Sequence, residues 1–140
     1  LNKFLGIVDT DGLRKNWNNV PLYRYADVLL MLAEAKNNLG EDPSAEINAV
    51  RKRGYGANYG VAQTYTNADK ITNTKAILDE RLKEFIGEGK RWWDLVRAGG
   101  DHLYNEVKKK KKTEAYKIYY PITNGMIAND EMLKQTEGWK

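Results

Sequence analysis

The sequence predicts a mostly α-helical fold, in which tetratricopeptide-like helix pairs are joined by long irregular loops. Residues 22–53 have the pattern of two consecutive helices, together about as long as one tetratricopeptide repeat of roughly 34 residues. Residues 77–99 carry apolar side chains at steps of three and four, which is typical of an amphipathic helix. A chain of 140 residues with 41% hydrophobic content suits a single domain that can bury a core.

The first predicted helix covers residues 22–39. Gly40 follows it, and glycine commonly ends a helix in the left-handed conformation. Helical spacing predicts that one face of this helix points toward the core. The residues of that face are Tyr25, Val28, Leu29, Leu32 and Ala33.

The second predicted helix begins at Asp42 and Pro43, which suit the N-cap and the first helical position. Ile47 and Val50 are predicted to point inward, and Gly54 is predicted to stop the helix. The two helices should therefore pack against each other as an antiparallel pair.

Residues 55–73 are predicted to form a polar loop, rich in Gly, Asn, Thr and Tyr. Its length exceeds that of most loops, which indicates function or mobility. Tyr55, Tyr59 and Tyr65 are the candidate ligand contacts, because tyrosine offers a flat apolar face and a polar tip that suit a carbohydrate. The alternative is that these rings anchor the loop by packing.

Residues 77–99 are predicted to form a single helix, capped by Asn73 or Thr74. Gly87 and Gly89 are poor helix formers, so their presence inside this pattern suggests that another backbone passes close by. The predicted apolar stripe consists of Leu78, Leu82, Phe85, Ile86, Gly89, Trp93 and Val96. Trp93 is therefore predicted to lie in the core and Trp92 at its edge. Stacking of both rings on a sugar is the alternative, but adjacent helical residues point about 100° apart.

The same segment carries three glutamates on one helix face, Glu80, Glu84 and Glu88. A carboxylate pair could hydrolyse a glycosidic bond. The density of intervening bases favours a salt-bridge network instead. Those bases are Arg81, Arg91 and Arg97.

Composition excludes several kinds of site. The chain has no cysteine and one histidine, His102, so a zinc site built on thiolates or imidazoles is excluded within it. The sequence lacks a phosphate-binding glycine loop, and we predict no cofactor, no metal and no enzymatic activity. The net charge of +4 is concentrated in five consecutive lysines at 108–112. These could bind nucleic acid or an acidic glycan or lipid surface, but without interleaved aromatic residues we interpret them as a solvated helix end and predict no nucleic-acid partner.

Three blocks in this sequence resemble the SusD/RagB family. ERLKEFIGEGKRWWDLVRAG resembles a signature near the C-terminus of these proteins, ER-x-x-E-x-x-x-EG-x-R-x-x-DL-x-R-x-G. The matching residues are Glu80, Arg81, Glu84, Glu88, Gly89, Arg91, Asp94, Leu95, Arg97 and Gly99. PLYRYADVLLMLAEAKNNLG with AEINAVRKRG, and YYPITNGMIANDEMLKQTEGW, resemble the blocks before and after it. Thr123 and Asp130 stand where the family usually has proline.

The resemblance implies a non-catalytic glycan-binding component of an outer-membrane uptake system. Its implied partners are an oligosaccharide or polysaccharide and a SusC-like TonB-dependent transporter. It also implies a position on the cell surface, through an N-terminal lipid anchor that this chain does not contain. In this interpretation the matched signature residues are scaffold.

Family members are several times longer, and the chain begins with Leu1, so we expect residues 1–140 to be a single C-terminal fragment of a larger protein. Such a fragment would expose apolar surface and could self-associate. The alternative function is a helical-repeat module that binds a protein partner and no glycan.

Overall fold

The computed structural model describes residues 5–16, 19, 21–99, 102–103, 105–106 and 115–139. The chain divides into two compact units, Leu1–Tyr65 and Thr66–Lys140. Most of the described secondary structure is helical, as the sequence predicts. The five lysines at 108–112 lie outside the described residues.

The first unit opens with a short antiparallel hairpin, in which β1 (Ile7–Val8) pairs with β2 (Arg14–Lys15). The Lys15 ammonium contacts the Asp9 and Asp11 carboxylates at 2.6 and 2.9 Å. Its hydrogen bond to Asp9 is the main reason that the pKa of Asp9 lies below its ordinary value. Lys15 thus links β2 to the turn of the hairpin through two ion pairs.

Helix α1 (Tyr25–Leu39) ends at Gly40 as predicted, with a φ of 80° at that glycine. Its start is one turn later than predicted, because the backbone of Arg24 is extended. The Gly40 amide closes the helix on the carbonyls of Lys36 and Asn37.

The predicted core face of α1 is wrong. Tyr25 is 75% exposed, and of the five predicted residues only Ala33 is fully buried. The buried residues are Ala26, Asp27, Leu30, Ala33 and Asn37. Helix α1 carries two stripes of apolar side chains, the predicted one and the one that contains Ala26 and Ala33. A neighbouring helix can approach the stripe with the alanines more closely, because its side chains are smaller.

Helix α2 (Ser44–Tyr55) packs against α1. Ile47 and Val50 are 0% and 4% exposed, which confirms that they point inward. Pro43 occupies the N-cap position and not the first helical position. The helix also continues through Gly54, so the predicted stop is wrong by two residues: Gly56 is the first residue beyond it.

Two short 3-10 turns, Gly56–Asn58 and Val61–Gln63, follow α2. Helix α3 (Lys70–Glu84) then begins earlier than predicted, because Asp69 is its N-cap. The Asp69 carboxylate accepts hydrogen bonds from the Ile71 and Thr72 amides at 3.0 and 3.1 Å. Asn73, one of the two predicted caps, is instead buried within the helix.

The predicted single helix over residues 77–99 is wrong, because α3 ends at Glu84 and α4 (Arg91–Ala98) begins after a turn. Gly87 and Gly89 lie in this turn, with φ values of 81° and 72°. A side chain built on Gly89 would meet no atom within 4 Å. Glycine is therefore favoured at position 89 because of the positive φ of the turn. The predicted close approach of another backbone at Gly89 is also wrong.

The core of the second unit contains Leu78, Leu95 and Leu103, with Ala98 packed against them. Leu78 and Phe85 of the predicted stripe are buried, whereas Leu82, Ile86, Trp93 and Val96 are exposed. The break between α3 and α4 is the reason, since it changes which residues share a face.

The C-terminal part contains α5 (Asn124–Asn129), capped by the Thr123 hydroxyl. The Gln135 side chain accepts a hydrogen bond from the Ile122 amide at 2.8 Å and donates one to the Ile122 carbonyl at 2.9 Å. Trp139 donates to the Tyr119 carbonyl at 2.9 Å and meets the Tyr116 ring edge to face at 5.3 Å. In the described part of the chain, every helix is too short or too polar to cross a membrane.

Candidate functional site: the signature turn and the tyrosine segment

A buried ion pair joins the two helices of the second unit. Arg81 on α3 places its Nε 2.8 Å from Oδ1 of Asp94 on α4, and the two side chains are only 4% and 2% exposed. Arg97 places Nη2 3.2 Å from the same oxygen. Two guanidinium groups thus share one carboxylate, and the arrangement fixes α4 against α3.

Arg91 makes a second connection between these helices. Its Nη1 donates to the Leu78 carbonyl of α3 at 2.8 Å, and its Nη2 lies 4.0 Å from Oε1 of Glu106. A guanidinium with several donors can hold a backbone carbonyl and a carboxylate at once. The side chain therefore braces the turn.

The three glutamates of the signature face have different environments. Glu80 and Glu84 are buried, and Glu88 is half-buried. Oε1 of Glu80 lies 3.1 Å from the Lys83 ammonium. Hydrolysis of a glycosidic bond requires two carboxyl groups that flank a substrate. The burial of Glu80 and Glu84 instead suits a structural role.

A cavity of about 520 Å³ lies at the turn between α3 and α4. Its apolar lining comes from both helices and from the turn: Leu82, Phe85, Ile86 and Trp92. The Phe85 ring is 4% exposed, with the Arg81 guanidinium 4.9 Å and the Lys90 ammonium 5.6 Å from its centroid. Both distances are in the range of cation–π interactions.

Of the two tryptophans, Trp92 lies at the edge of the core as predicted, whereas Trp93 does not lie where the sequence analysis placed it. Trp93 is 66% exposed, so the prediction of a core position is wrong. Trp92 is 40% exposed and lines the cavity at the turn. Because α4 starts only at Arg91, the face that it buries contains Asp94 and Leu95 instead.

The tyrosine segment, residues 55–69, is fastened to α2 by polar contacts. The Asn48 side chain donates to the Tyr65 carbonyl at 2.8 Å and accepts from the Tyr65 amide at 2.7 Å. Arg51 donates to the Gln63 carbonyl at 2.9 Å and lies 5.4 Å from the centroid of the Tyr65 ring. Sequence analysis missed these anchors because they are polar, although Asn48 and Arg51 are spaced to share a helix face.

The structure gives the three candidate tyrosines different environments. Tyr55 ends α2 and is 45% exposed. Tyr59 is half-buried, and its hydroxyl accepts from the Thr64 hydroxyl at 3.3 Å. Tyr65 is half-buried beside Arg51. Of the three tyrosines, Tyr55 is the most exposed to solvent.

A second, smaller cavity of about 270 Å³ contains the single histidine, His102, together with Lys75, Asp79 and Asn105. Among the described residues, acidic and histidine side chains do not gather in groups of three that could hold a metal ion.

Comparison with known proteins places this chain in a family. The sequence model of the SusD family matches residues 1–139. The chain belongs to the SusD family.

Curated relatives match it over part of their length. Starch-binding protein SusD of Bacteroides thetaiotaomicron is 30% identical over 129 residues, which are 87% of this chain and 22% of the relative. SusD-like protein P38 of Formosa agariphila is 43% identical over 85 residues, which are 56% of this chain and 17% of the relative. The chain therefore spans about a fifth of the length of these relatives.

Solved structures of the SusD superfamily share its fold. NanU of Bacteroides fragilis matches with a TM-score of 0.73 and 39% identity, over 99% of this chain and 31% of NanU. A SusD superfamily protein from Bacteroides vulgatus matches with a TM-score of 0.72 and 38% identity, over 99% of this chain and 32% of that protein. The mostly helical fold and the SusD/RagB resemblance predicted from the sequence are thus confirmed.

Proposed function

We propose that this SusD-family chain provides helical scaffold to a non-catalytic, glycan-binding component of a nutrient-uptake system. The observation that carries the proposal is the family match over residues 1–139, together with a relative that is named a starch-binding protein. The proposed partners are an oligosaccharide or polysaccharide and a SusC-like TonB-dependent transporter. The proposed location is the cell surface, through a lipid anchor at the N-terminus of the whole protein.

The proposal that the signature residues serve as scaffold is supported by their contacts. Arg81 and Asp94 are buried and face each other across α3 and α4. Arg91 is directed to a backbone carbonyl. Because these charged groups contact each other or a backbone carbonyl, we infer that they hold the two helices together and do not bind a ligand. The non-catalytic role is supported by the burial of Glu80 and Glu84.

Tyr55, Tyr59 and Tyr65 remain the proposed glycan contacts within this chain. Tyr55 is the strongest of the three, because it is 45% exposed as a residue whereas the other two are half-buried. The Tyr65 backbone is held by Asn48, which would present the segment in a fixed shape and so lower the entropic cost of binding.

The test is calorimetric titration of the chain with starch oligosaccharides and other glycans, comparing Tyr55→Ala with Tyr120→Ala. Tyr120 is a matched control, because its side chain is 89% exposed and it lies outside the tyrosine segment. We expect Tyr55→Ala to weaken binding about tenfold, as loss of a ring contact commonly does, while Tyr120→Ala leaves it unchanged.

Equal affinities for the two variants would remove Tyr55 from the site. A chain that binds none of these glycans, but captures a purified SusC-like transporter, would favour the alternative function of a protein-interaction module.

A further inference from the structure

The cavity at the α3–α4 turn has the features of a protein-docking surface. Around it lie three apolar side chains, Leu82, Ile86 and Trp92, which are 42%, 44% and 40% exposed. Val96, one turn after Trp92 on α4, is 42% exposed as well. Apolar residues that gather at one concave place usually mark an interface, whereas scattered ones do not.

The shape of this cavity suits an inserted side chain. Its volume of about 520 Å³ is far larger than one water molecule needs, and Phe85 forms a buried floor. The charged residues in its lining are all basic: Arg81, Lys90 and Arg91. The contacts of Arg81 with Asp94 and of Arg91 with Leu78 hold those two groups back, so the walls that remain are mainly apolar.

We propose that this cavity receives an aliphatic or aromatic side chain from the portion of the SusD fold that this chain does not represent. The chain aligns over 99% of its own length with NanU but covers only 31% of that protein. The B. vulgatus structure gives the same proportions, 99% and 32%. About two thirds of each solved fold therefore consists of other polypeptide, which needs apolar surfaces on this part to pack against.

The absence of cysteine from this chain permits a direct test by thiol labelling. Ile86→Cys introduces a single thiol at the rim of the cavity. Val61→Cys is the matched control, because Val61 is 95% exposed and lies in the tyrosine segment. Each variant is prepared in the chain alone and in a hybrid, in which these 140 residues replace the corresponding third of NanU. Maleimide labelling at each position is followed by mass spectrometry of the peptide that contains it.

We expect the Ile86→Cys thiol to react at least about tenfold more slowly in the hybrid than in the chain alone, as burial of a thiol requires. The Val61→Cys thiol should change by less than about twofold, because an exposed loop position stays accessible. Equal labelling of Ile86→Cys in the two contexts would overturn the proposal.

One other outcome also counts against it. If labelling of Ile86→Cys in the chain alone slows as the protein concentration rises, and the hybrid gives no further protection, the occupant is a second copy of this chain.

Discussion

The two helix pairs of this chain differ in the contacts that hold their helices together. The α1–α2 pair buries mainly small and branched apolar side chains, such as Ala26, Leu30, Ala33 and Ile47. Its Lys36–Glu46 ion pair of 2.5 Å is only partly buried, because the Lys36 side chain is 28% exposed. The α3–α4 pair buries the ion pair of Arg81 and Asp94 at its centre. Apolar packing loses energy in proportion to the atoms removed, whereas a buried ion pair fails abruptly when one partner is lost.

We infer that the signature can be recognised in the sequence because its buried ion pair requires one specific arrangement of residues. An apolar interface tolerates many combinations of Leu, Ile, Val and Ala with similar volume. A buried Arg81 requires a carboxylate beside its guanidinium group. Asp94 can reach that position only if the turn at Gly87 and Gly89 gives α4 the required orientation relative to α3. Charged residues and glycines thus depend on one another across the turn.

The largest effect should come from Asp94→Ala. The substitution leaves the Arg81 guanidinium buried beside the space that the carboxylate occupied, and removal of one partner of a buried pair costs about 3–5 kcal/mol. Urea unfolding followed by circular dichroism measures the loss. Glu88→Ala is the comparison variant, because Glu88 belongs to the same signature but is only half-buried, and we expect a smaller loss there.

The double variant Arg81→Met, Asp94→Leu sharpens the same comparison. Replacement of a buried ion pair by apolar residues of similar volume is often neutral or stabilising. We expect the double variant to be more stable than Asp94→Ala alone. If Asp94→Ala unfolds at the same urea concentration as the unmodified chain, the pair is not the element that joins α3 to α4.

In the α1–α2 pair, Leu30→Ala should cost about 2–4 kcal/mol, since Leu30 is 0% exposed and its removal leaves a cavity. Leu32→Ala, on the same helix but 45% exposed, should cost less than about 1 kcal/mol. Thermal unfolding of both variants measures the difference. A greater loss for Leu32 would mean that α1 packs through the stripe predicted from the sequence.

These two pairs also show what the sequence could and could not predict. Gly40 and the inward positions of Ile47 and Val50 were predictable, because a terminal glycine and helical spacing act locally. The face of α1 was not, since two stripes were available and the neighbouring helix selects between them. The turn at Gly87 was not either, because glycines within a helical pattern fit both a close contact and a break.

The candidate site was predictable only as a set of residues. The signature identified Arg81 and Asp94, but spacing along one continuous helix could not place them face to face. The fastening of the tyrosine segment by Asn48 was missed, because the segment lacks aliphatic anchors and its side chain–backbone bonds span 17 residues of sequence. Long-range polar contacts have no periodic signal.

Asn48→Ala tests that fastening and should have an effect of about 1–2 kcal/mol, the contribution expected from two hydrogen bonds to backbone groups. Amide hydrogen exchange at Tyr65 is the most direct measurement, since its N–H donates to Asn48 Oδ1. We expect protection of this amide in the unmodified chain and faster exchange in the variant. Asn38→Ala, at an exposed position of α1, should leave it unchanged. Fast exchange in both proteins would instead support the prediction of a mobile loop.

The smallest effect should be the acid sensitivity of the start of α3. The pKa of Asp69 is lowered, first by the hydrogen bond from the Thr72 hydroxyl at 2.5 Å and then by the Thr72 and Ile71 amides. A carboxyl group whose folded pKa is depressed contributes stability above its unfolded pKa, near 3.8, and this contribution is lost as the pH falls through the lower folded value. Because Asn keeps an oxygen that can cap the helix and loses only the charge, Asp69→Asn should lower the melting temperature by about one or two degrees at neutral pH and by progressively less below about pH 3.8. Thr72→Val removes the main cause of the shift, so the remaining Asp69 should give a weaker pH dependence. A difference between Asp69→Asn and the unmodified chain that stays constant from neutral pH to pH 2 would show that the cap acts through its shape and not its charge.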